Sequence, residues 1–394
     1  MSLLRSERVA AFLLVIAAFV GLVVANSAFG DAAVAVRDFH LAIPFLGLDL
    51  SVSHWVKDGL LAIFFFVAAI ELRHELTHGE LDSRRKALIP MVAAVGGVLV
   101  PSLIFLLIVT DPVYAVGWPI PTATDIAFAL GVLALVGRGL PSRVRAMLLA
   151  LAVIDDLIAI LIIAFFFTTD LQPLALIGAV PLVLLFGWLS FRVRSKRAPL
   201  VITAMIVIGI VTWVLVYHSG IHPTVAGVAL GLVMTPGSAE PTRRALEPWT
   251  NALVLPLFAL VASIVLIPDV GVDELNPVFW GILVALPVGK LIGITAGAMI
   301  ARQLAPKRER AAALSIGDVL VVASLGGIGF TVSLLMNELA FEAVPDVAAE
   351  GTLAVLGGSL FSIIIGVIIT VVRVRQHRAS HTLEPEDAKE NPVA

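Results

Sequence analysis

Residues 149–162 read L-A-L-A-V-I-D-D-L-I-A-I-L-I. The adjacent Asp155 and Asp156 interrupt a run made otherwise of Ala, Val, Leu and Ile. The rest of the chain sharpens the question they raise. Of 394 residues, 59% are hydrophobic and 14% charged, with a mean hydropathy of +1.04. Soluble domains carry roughly a quarter charged residues, so the main solvent of this chain is lipid. Crossing a bilayer takes about 18–20 apolar residues. Twelve such stretches are present: 9–27, 54–72, 88–109, 118–137, 142–167, 173–191, 199–218, 220–235, 248–268, 277–301, 316–341 and 351–374. The net charge of −3 argues against a nucleic-acid surface, and the absence of cysteine excludes disulfides, thiolate metal sites and a cysteine nucleophile.

Basic residues fall on alternate connections. With the N-terminus inside, the inner segments hold Arg5 and Arg8, Arg73 with Arg84 to Lys86, and Arg138, Arg143 and Arg145. They continue with Arg192, Arg194, Lys196 and Arg197, then Arg243 and Arg244, then Arg302, Lys307, Arg308 and Arg310, and the C-terminal tail. The outer segments hold only Arg37. This one-sidedness is the positive-inside bias, and a missed span would scramble it. The first span is long for the apolar core of a signal peptide and is expected to be retained. Residues 38–52 alternate polar and apolar around a Pro/Gly turn, which predicts an external β-hairpin. Residues 376–394 are too polar for a core, which predicts a disordered cytoplasmic tail after one membrane domain, 1–375.

Charges at span ends reach water by snorkelling. Asp155, Asp156 and Lys290 lie instead near span centres, and Asp125 lies about one-third along its span. Each costs about 2.5–3.5 kcal/mol there on the lenient insertion scale, on the order of 10 kcal/mol together if unpaired. One Asp–Lys pair would serve as a packing device, but three carboxylates against one lysine leave an acidic excess. Neighbouring helix positions point about 100° apart, so one aspartate of the pair can meet Lys290 while the other faces a cavity. A mid-depth carboxylate excess suits a hard monovalent cation or protons.

The backbone breaks at the same depth. Span four opens with Pro119 and Pro121 before T-A-T-D, and span eleven carries Gly326, Gly327 and Gly329. Irregular backbone survives in the membrane only where protein or a cavity encloses it. Each broken span is the middle of a three-span group, about 88–167 and about 277–375. Three is odd, so the groups run with inverted topology. Matching breaks in two inverted halves point to a transporter's binding site.

Several segments resemble one family. T-A-T-D-I-A-F-A-L-G-V-L-A-L at 122–135, A-L-A-V-I-D-D-L-I-A-I at 150–160 and L-G-G-I-G-F-T-V-S at 325–333 are similar to the NhaA sodium/proton antiporters. So are H-P-T-V-A-G-V at 222–228, L-P-L-F-A at 255–259 and I-E-L-R-H-E-L at 70–76. The likeness covers roughly residues 8–375, and NhaA is among the folds from which the rule on broken helices was drawn. It implies an all-α polytopic fold of about twelve helices with two broken helices crossing at mid-membrane. It also implies that Asp156 binds Na⁺ or Li⁺ and exchanges it for protons, with Asp155 as partner and as the mate of Lys290 in the inward-facing, ion-free state. Thr124 and Asp125 would lie at the crossing with Gly326, Gly327 and Gly329, with Thr124 a further oxygen for Na⁺. Asp58 matches an acid needed for full activity, His222 a histidine tied to the pH response, and Glu71 and Glu75 acids of the cytoplasmic funnel. His74 joins this group as a departure, because the chain reads Arg73-His74-Glu75 where the family has K-R-E. Leu260 to Ser263 replace the usual A-N-A-G, and Arg243 stands where a glutamate is common.

The expected function is electrogenic, pH-regulated export of Na⁺ or Li⁺ for external H⁺. It needs no enzyme activity and no cofactor. Its partners are the ions, the lipid bilayer of a bacterial inner membrane, and a second copy of the chain paired through residues 38–52. A sodium-coupled symporter of an organic solute is the nearer rival. An intramembrane aspartyl protease would need its carboxylates on facing helices, and Ser315-Ile316-Gly317-Asp318 lacks the first glycine of G-x-G-D.

Overall fold

The computed structural model describes residues 7–79, 84–168, 171–193, 198–269, 271–304 and 314–382. Basic residues Arg5, Arg194, Lys196, Arg197, Lys307, Arg308 and Arg310, and tail residues 383–394, lie outside them. Helices α1 (Glu7–Ala25) and α2 (Gly30–Arg37) lead into an antiparallel pair, β1 (His40–Ile43) and β2 (Leu48–Ser51). This hairpin pairs His40 with Ser51 and Ile43 with Leu48. Its turn closes on Gly47 at φ 64°, left-handed backbone that a Cβ disfavours. Span two begins with a wide turn, Trp55–Leu60, in which hydrogen bonds skip an extra residue, and continues as α3 (Leu61–His78).

The first three-span group holds α4 (Arg84–Ile108), α5 (Ile126–Val136) and α6 (Ser142–Phe166). Between the groups lie α7 (Pro173–Ser190), α8 (Ala198–Tyr217), α9 (Thr224–Val233), α10 (Pro236–Trp249) and α11 (Leu255–Ala262). The second group holds α12 (Pro277–Val284), α13 (Lys290–Leu304), α14 (Ile316–Gly326), α15 (Phe330–Ala340) and α16 (Pro345–Thr382). Among the described residues nine helices are long and apolar enough to cross a bilayer, and the pair α14–α15, bent by 46°, makes a tenth. The two further expected spans are α3, interrupted by charge, and α9, whose 10 residues are too few to cross alone.

Burial decides which helices surround the site. About two-thirds of the most apolar stretch of α6 is buried, against 22% for α7 and for α8. The outward rows of α7 and α8, such as Leu174, Leu184, Leu200 and Ile206, are exposed apolar surface that suits acyl chains. Helices α4 and α13 cross closely: a Cβ on Gly96 would strike the carbonyl of Gly293, and one on Gly293 would strike that of Gly96. Small residues let two backbones approach so, and dispersion then replaces the hydrophobic drive that lipid cannot supply.

One boundary differs from the sequence expectation. Helix α16 continues through Thr382, into the segment 376–394 read as a disordered tail. The physical reason is visible one and two turns earlier, where Arg373 and His377, spaced i and i+4, both reach Asp318. That pairing extends the helix beyond its apolar stretch.

Candidate ion site

The two broken spans make each other's ends. In the first, Pro119 and Pro121 withhold backbone donors, Ala123 is extended at ψ 156°, and Asp125 caps α5 by accepting from the Phe128 N–H at 2.9 Å. In the second, α14 stops at Gly326 and α15 restarts at Phe330, whose φ of 22° is a strained value for a bulky residue. A Cβ on Gly326 would come within 2.7 Å of Ile294, and one on Gly327 within 2.7 Å of Ser362. The glycines are needed for close approach. The Asp125 N–H donates to the Ile328 carbonyl at 2.6 Å, and Ser333 Oγ donates to the Ile120 carbonyl at 2.7 Å. Asp125 Oδ2 accepts from Thr331 Oγ1 at 2.7 Å and from its N–H at 3.3 Å. One carboxylate thus sits at the N-terminal ends of two half-helices, α5 and α15, where it offsets their positive poles.

The opposite pole is met by Lys290, whose side chain is fully buried. Its helix begins after a second wide turn, Ala285–Gly289, containing Pro287, whose missing N–H disrupts the regular ladder. The ammonium donates to Asp155 Oδ2 at 2.6 Å and to Thr124 Oγ1 at 3.0 Å. Thr124 Oγ1 in turn lies 2.7 Å from both Asp155 Oδ2 and the Gly326 carbonyl. A hydroxyl has one proton, so Thr124 accepts from Lys290 and donates to either oxygen. Asp155 Oδ1 is buried with no hydrogen-bond partner. A pair this deep carries a desolvation cost that Coulomb attraction offsets only with good geometry. Here one oxygen has that geometry and the other has none.

Asp156 points elsewhere, as the 100° step requires. It lines a cavity of about 210 Å³ with Glu71, Arg145, Arg243, Glu247 and Thr250. Among the described residues no donor lies within hydrogen-bond distance of its carboxylate, although only 8% of the residue is exposed. Arg243 is held at the mouth by Glu240, at 3.0 Å from both Nε and Nη2, and by Glu247 at 2.9 Å. The cavity lies on the face that carries the basic connections, as Arg145 and Arg243 show.

The structure therefore brings Asp155, Asp156, Lys290, Thr124, Asp125 and the three glycines together, with Glu71 at the cavity wall. His74 and Glu75 do not line that cavity: His74 is exposed at the end of α3 and Glu75 is buried there. Asp58 and His222 form their own buried pair, Oδ1 to Nε2 at 3.3 Å, while His222 Nδ1 lies 2.7 Å from Thr224 Oγ1. Sequence reasoning missed Thr331 and Ser333, which join the two breaks. The signal was there, since both hydroxyls follow directly on the glycines in G-F-T-V-S.

A multi-pass membrane protein with broken helices crossing at a lysine-held aspartate, beside a second aspartate open to a cavity, has the build of a secondary ion transporter. The sequence profile of the family described as Na+/H+ antiporter 1 matches residues 1–370. The chain is 53% identical to Na(+)/H(+) antiporter NhaA 2 of Clavibacter michiganensis subsp. michiganensis over 391 residues, covering 98% of this chain and 96% of that one. It is 45% identical to Na(+)/H(+) antiporter NhaA of Tropheryma whipplei (strain Twist), covering 97% and 98%. For the protein of the same name from Thermobifida fusca the identity is 43%, covering 95% and 94%. The chain belongs to the Na+/H+ antiporter family.

Proposed function

We propose that this protein exports Na⁺ or Li⁺ from the cytoplasm in exchange for external H⁺, at Asp156. The observation that carries this reading is the division of labour between neighbours: Asp155 is held by Lys290, and Asp156 faces a cavity with no bonded donor. One site, two competing ligands and two accessibilities suffice for antiport. Ionised Asp156, with oxygens from Asp155 and Thr124, replaces the water that Na⁺ sheds. Binding then lets the bundle of the two three-span groups, 88–167 and 277–375, move until the site opens outward. External protons displace the ion, and the protonated site returns. More protons enter than Na⁺ leaves, so the membrane potential drives the cycle, each net charge being worth about 2.3 kcal/mol per 100 mV.

The positive-inside bias supports a bacterial inner membrane with cytoplasmic termini, and a cytoplasmic opening for the 210 Å³ cavity lined by Arg145 and Arg243. That volume is below the roughly 300 Å³ at which small-molecule pockets begin, which favours an ion over an organic solute. Glu71 on the cavity wall, with Glu75, His74, Asp58 and His222 at their separate places, supports a pH-regulated cycle. In everted vesicles, NaCl or LiCl should dissipate a preformed pH gradient while KCl and organic solutes leave it standing. Dissipation only with an organic solute present would replace antiport by symport.

The hairpin supports a homodimer, since a two-stranded sheet leaves both outer edges open to pair across a two-fold axis. Deleting residues 41–50 should give monomers in detergent that still transport; cross-linked dimers after deletion would place the interface elsewhere.

A further inference from the structure

A second cavity, of about 680 Å³, opens on the hairpin side and takes no part in the reading above. Two ion pairs cross it. Lys57 Nζ lies 3.7 Å from Glu338 Oε2, and His54 Nε2 lies 3.6 Å from Glu342 Oε1. Lys57 sits in the wide turn that opens span two, with His54 just before it. Glu338 is near the end of α15, and Glu342 is in the turn leading to α16. The pairs therefore tie an element outside the two three-span groups to the outer half of a broken helix.

Both pairs are loose. The Lys290–Asp155 and Arg373–Asp318 pairs are 2.6 and 2.8 Å long. Glu338 Oε2 is a buried atom that makes no hydrogen bond at all. Acids outnumber bases around the cavity: Glu338, Glu342, Asp346, Glu350 and Asp38 face Arg37 and Lys57. An acidic surplus suits the mouth of a cation path, and pairs too long to be hydrogen bonds suit a contact that breaks and reforms.

We propose that this cavity is the external mouth of the ion path, and that Lys57–Glu338 and His54–Glu342 lock it in the conformation described, parting when the site turns outward. The inference rests on the antiport reading. Lys57 and Glu338 are the more buried pair, at 11% and 22% side-chain exposure, and form the main bolt. His54 and Glu342, at 37% and 68%, are solvent-facing and trim its strength.

The carboxylates around His54 are held in their charged form. Its Nδ1 meets Ser51 Oγ of the hairpin at 2.7 Å, and its Nε2 faces Glu342. Asp38, at the end of α2, is held below the usual carboxylate range by its hydrogen bond to Arg37, with His54 adding to the effect. Glu342 is likewise held low, first by its contact with His54, then by the charges of Lys57 and His222. Both acids stay ionised through mild acidity.

The chain has no cysteine, so a His54→Cys/Glu342→Cys variant carries the only two thiols. In proteoliposomes, a short bifunctional methanethiosulfonate should stop Na⁺/H⁺ exchange by this variant, and dithiothreitol should restore it. Neither single-cysteine variant should respond. Cross-linked protein exchanging at its uncross-linked rate overturns the lock alone; a parent that exchanges nothing overturns the antiport reading and the lock with it.

Discussion

Asp155 and Asp318 are each paired to a cation, and they are built in opposite ways. Asp318 has every oxygen occupied: Oδ1 accepts from Arg373 Nε at 2.8 Å and meets His377 Nε2 at 2.9 Å, and Oδ2 accepts from Ser315 Oγ at 2.7 Å. Ser315 also caps the helix of Asp318, its Oγ accepting from the Asp318 N–H at 3.2 Å. Asp155 crowds Lys290 and Thr124 onto Oδ2 and leaves Oδ1 bare in the protein's interior. Saturated polar networks fix structure, while a buried oxygen without a partner needs an explanation of its own. An oxygen kept free beside Asp156, which also lacks a bonded donor, supports the proposed coordination of a cation there. On that proposal, the contrast separates a carboxylate used as a fastener from a pair used for exchange.

The sharpest way to break this contrast is Asp156→Asn. The change removes the anionic ligand at almost constant volume, so the protein should fold and purify as before while Na⁺-driven proton movement falls by at least about a hundredfold, on the order of 3 kcal/mol of lost ion binding. Persisting exchange in vesicles would move the ion site away from Asp156.

Next come the two members of the buried pair. Asp155→Asn strands Lys290, and Lys290→Ala leaves Asp155 uncompensated. Breaking a buried pair from one side costs about 3–5 kcal/mol, so both variants should melt earlier in detergent. Lys290→Ala has a second reading. If the lysine carries one of the exchanged protons, exchange by the variant becomes less electrogenic, whereas a purely structural lysine leaves voltage dependence at the parental level. Flux in proteoliposomes clamped with potassium and valinomycin distinguishes these outcomes.

Much of this was legible in the sequence because the membrane penalises charge. At mid-depth only paired or functional ionisable residues survive, so Asp125, Asp155, Asp156 and Lys290 announced themselves by position. The two helix breaks were visible for the same reason, through Pro119, Pro121 and the glycines at 326, 327 and 329. What the pattern could not supply was direction. Nothing in I-D-D-L says which aspartate meets Lys290, since both choices satisfy a 100° step; the register of α6 against α13 decides it. The resemblance supplied that assignment, and the distances carry it. Hydroxyls such as Thr331 and Ser333 carry only a faint signal, their place just after the glycines, because they cost little in a helix and recur all along the chain. The basic end of α16 lies beyond its expected boundary for a related reason. His377 looks like a tail residue until Asp318, more than fifty positions away, is placed beneath it and Arg373.

The smallest expected effect tests the other half of the comparison. Asp318→Asn keeps the shape and one acceptor oxygen but removes the charge that Arg373 meets. The network is at the N-terminal end of α14, with Arg373 about one-fifth exposed. Water can therefore solvate the released guanidinium, and the loss should be roughly 1–2 kcal/mol, the scale of a charge-assisted hydrogen bond near a surface. A lower melting temperature in detergent with exchange within about twofold of the parent is the outcome expected of a fastener. The pairing also extends α16 beyond its apolar stretch, so the same variant should expose the 373–382 segment to protease while leaving the rest of the helix protected. Should Asp318→Asn instead suppress exchange as Asp156→Asn does, with melting unchanged, saturation of a carboxylate would no longer distinguish a structural aspartate from a transporting one.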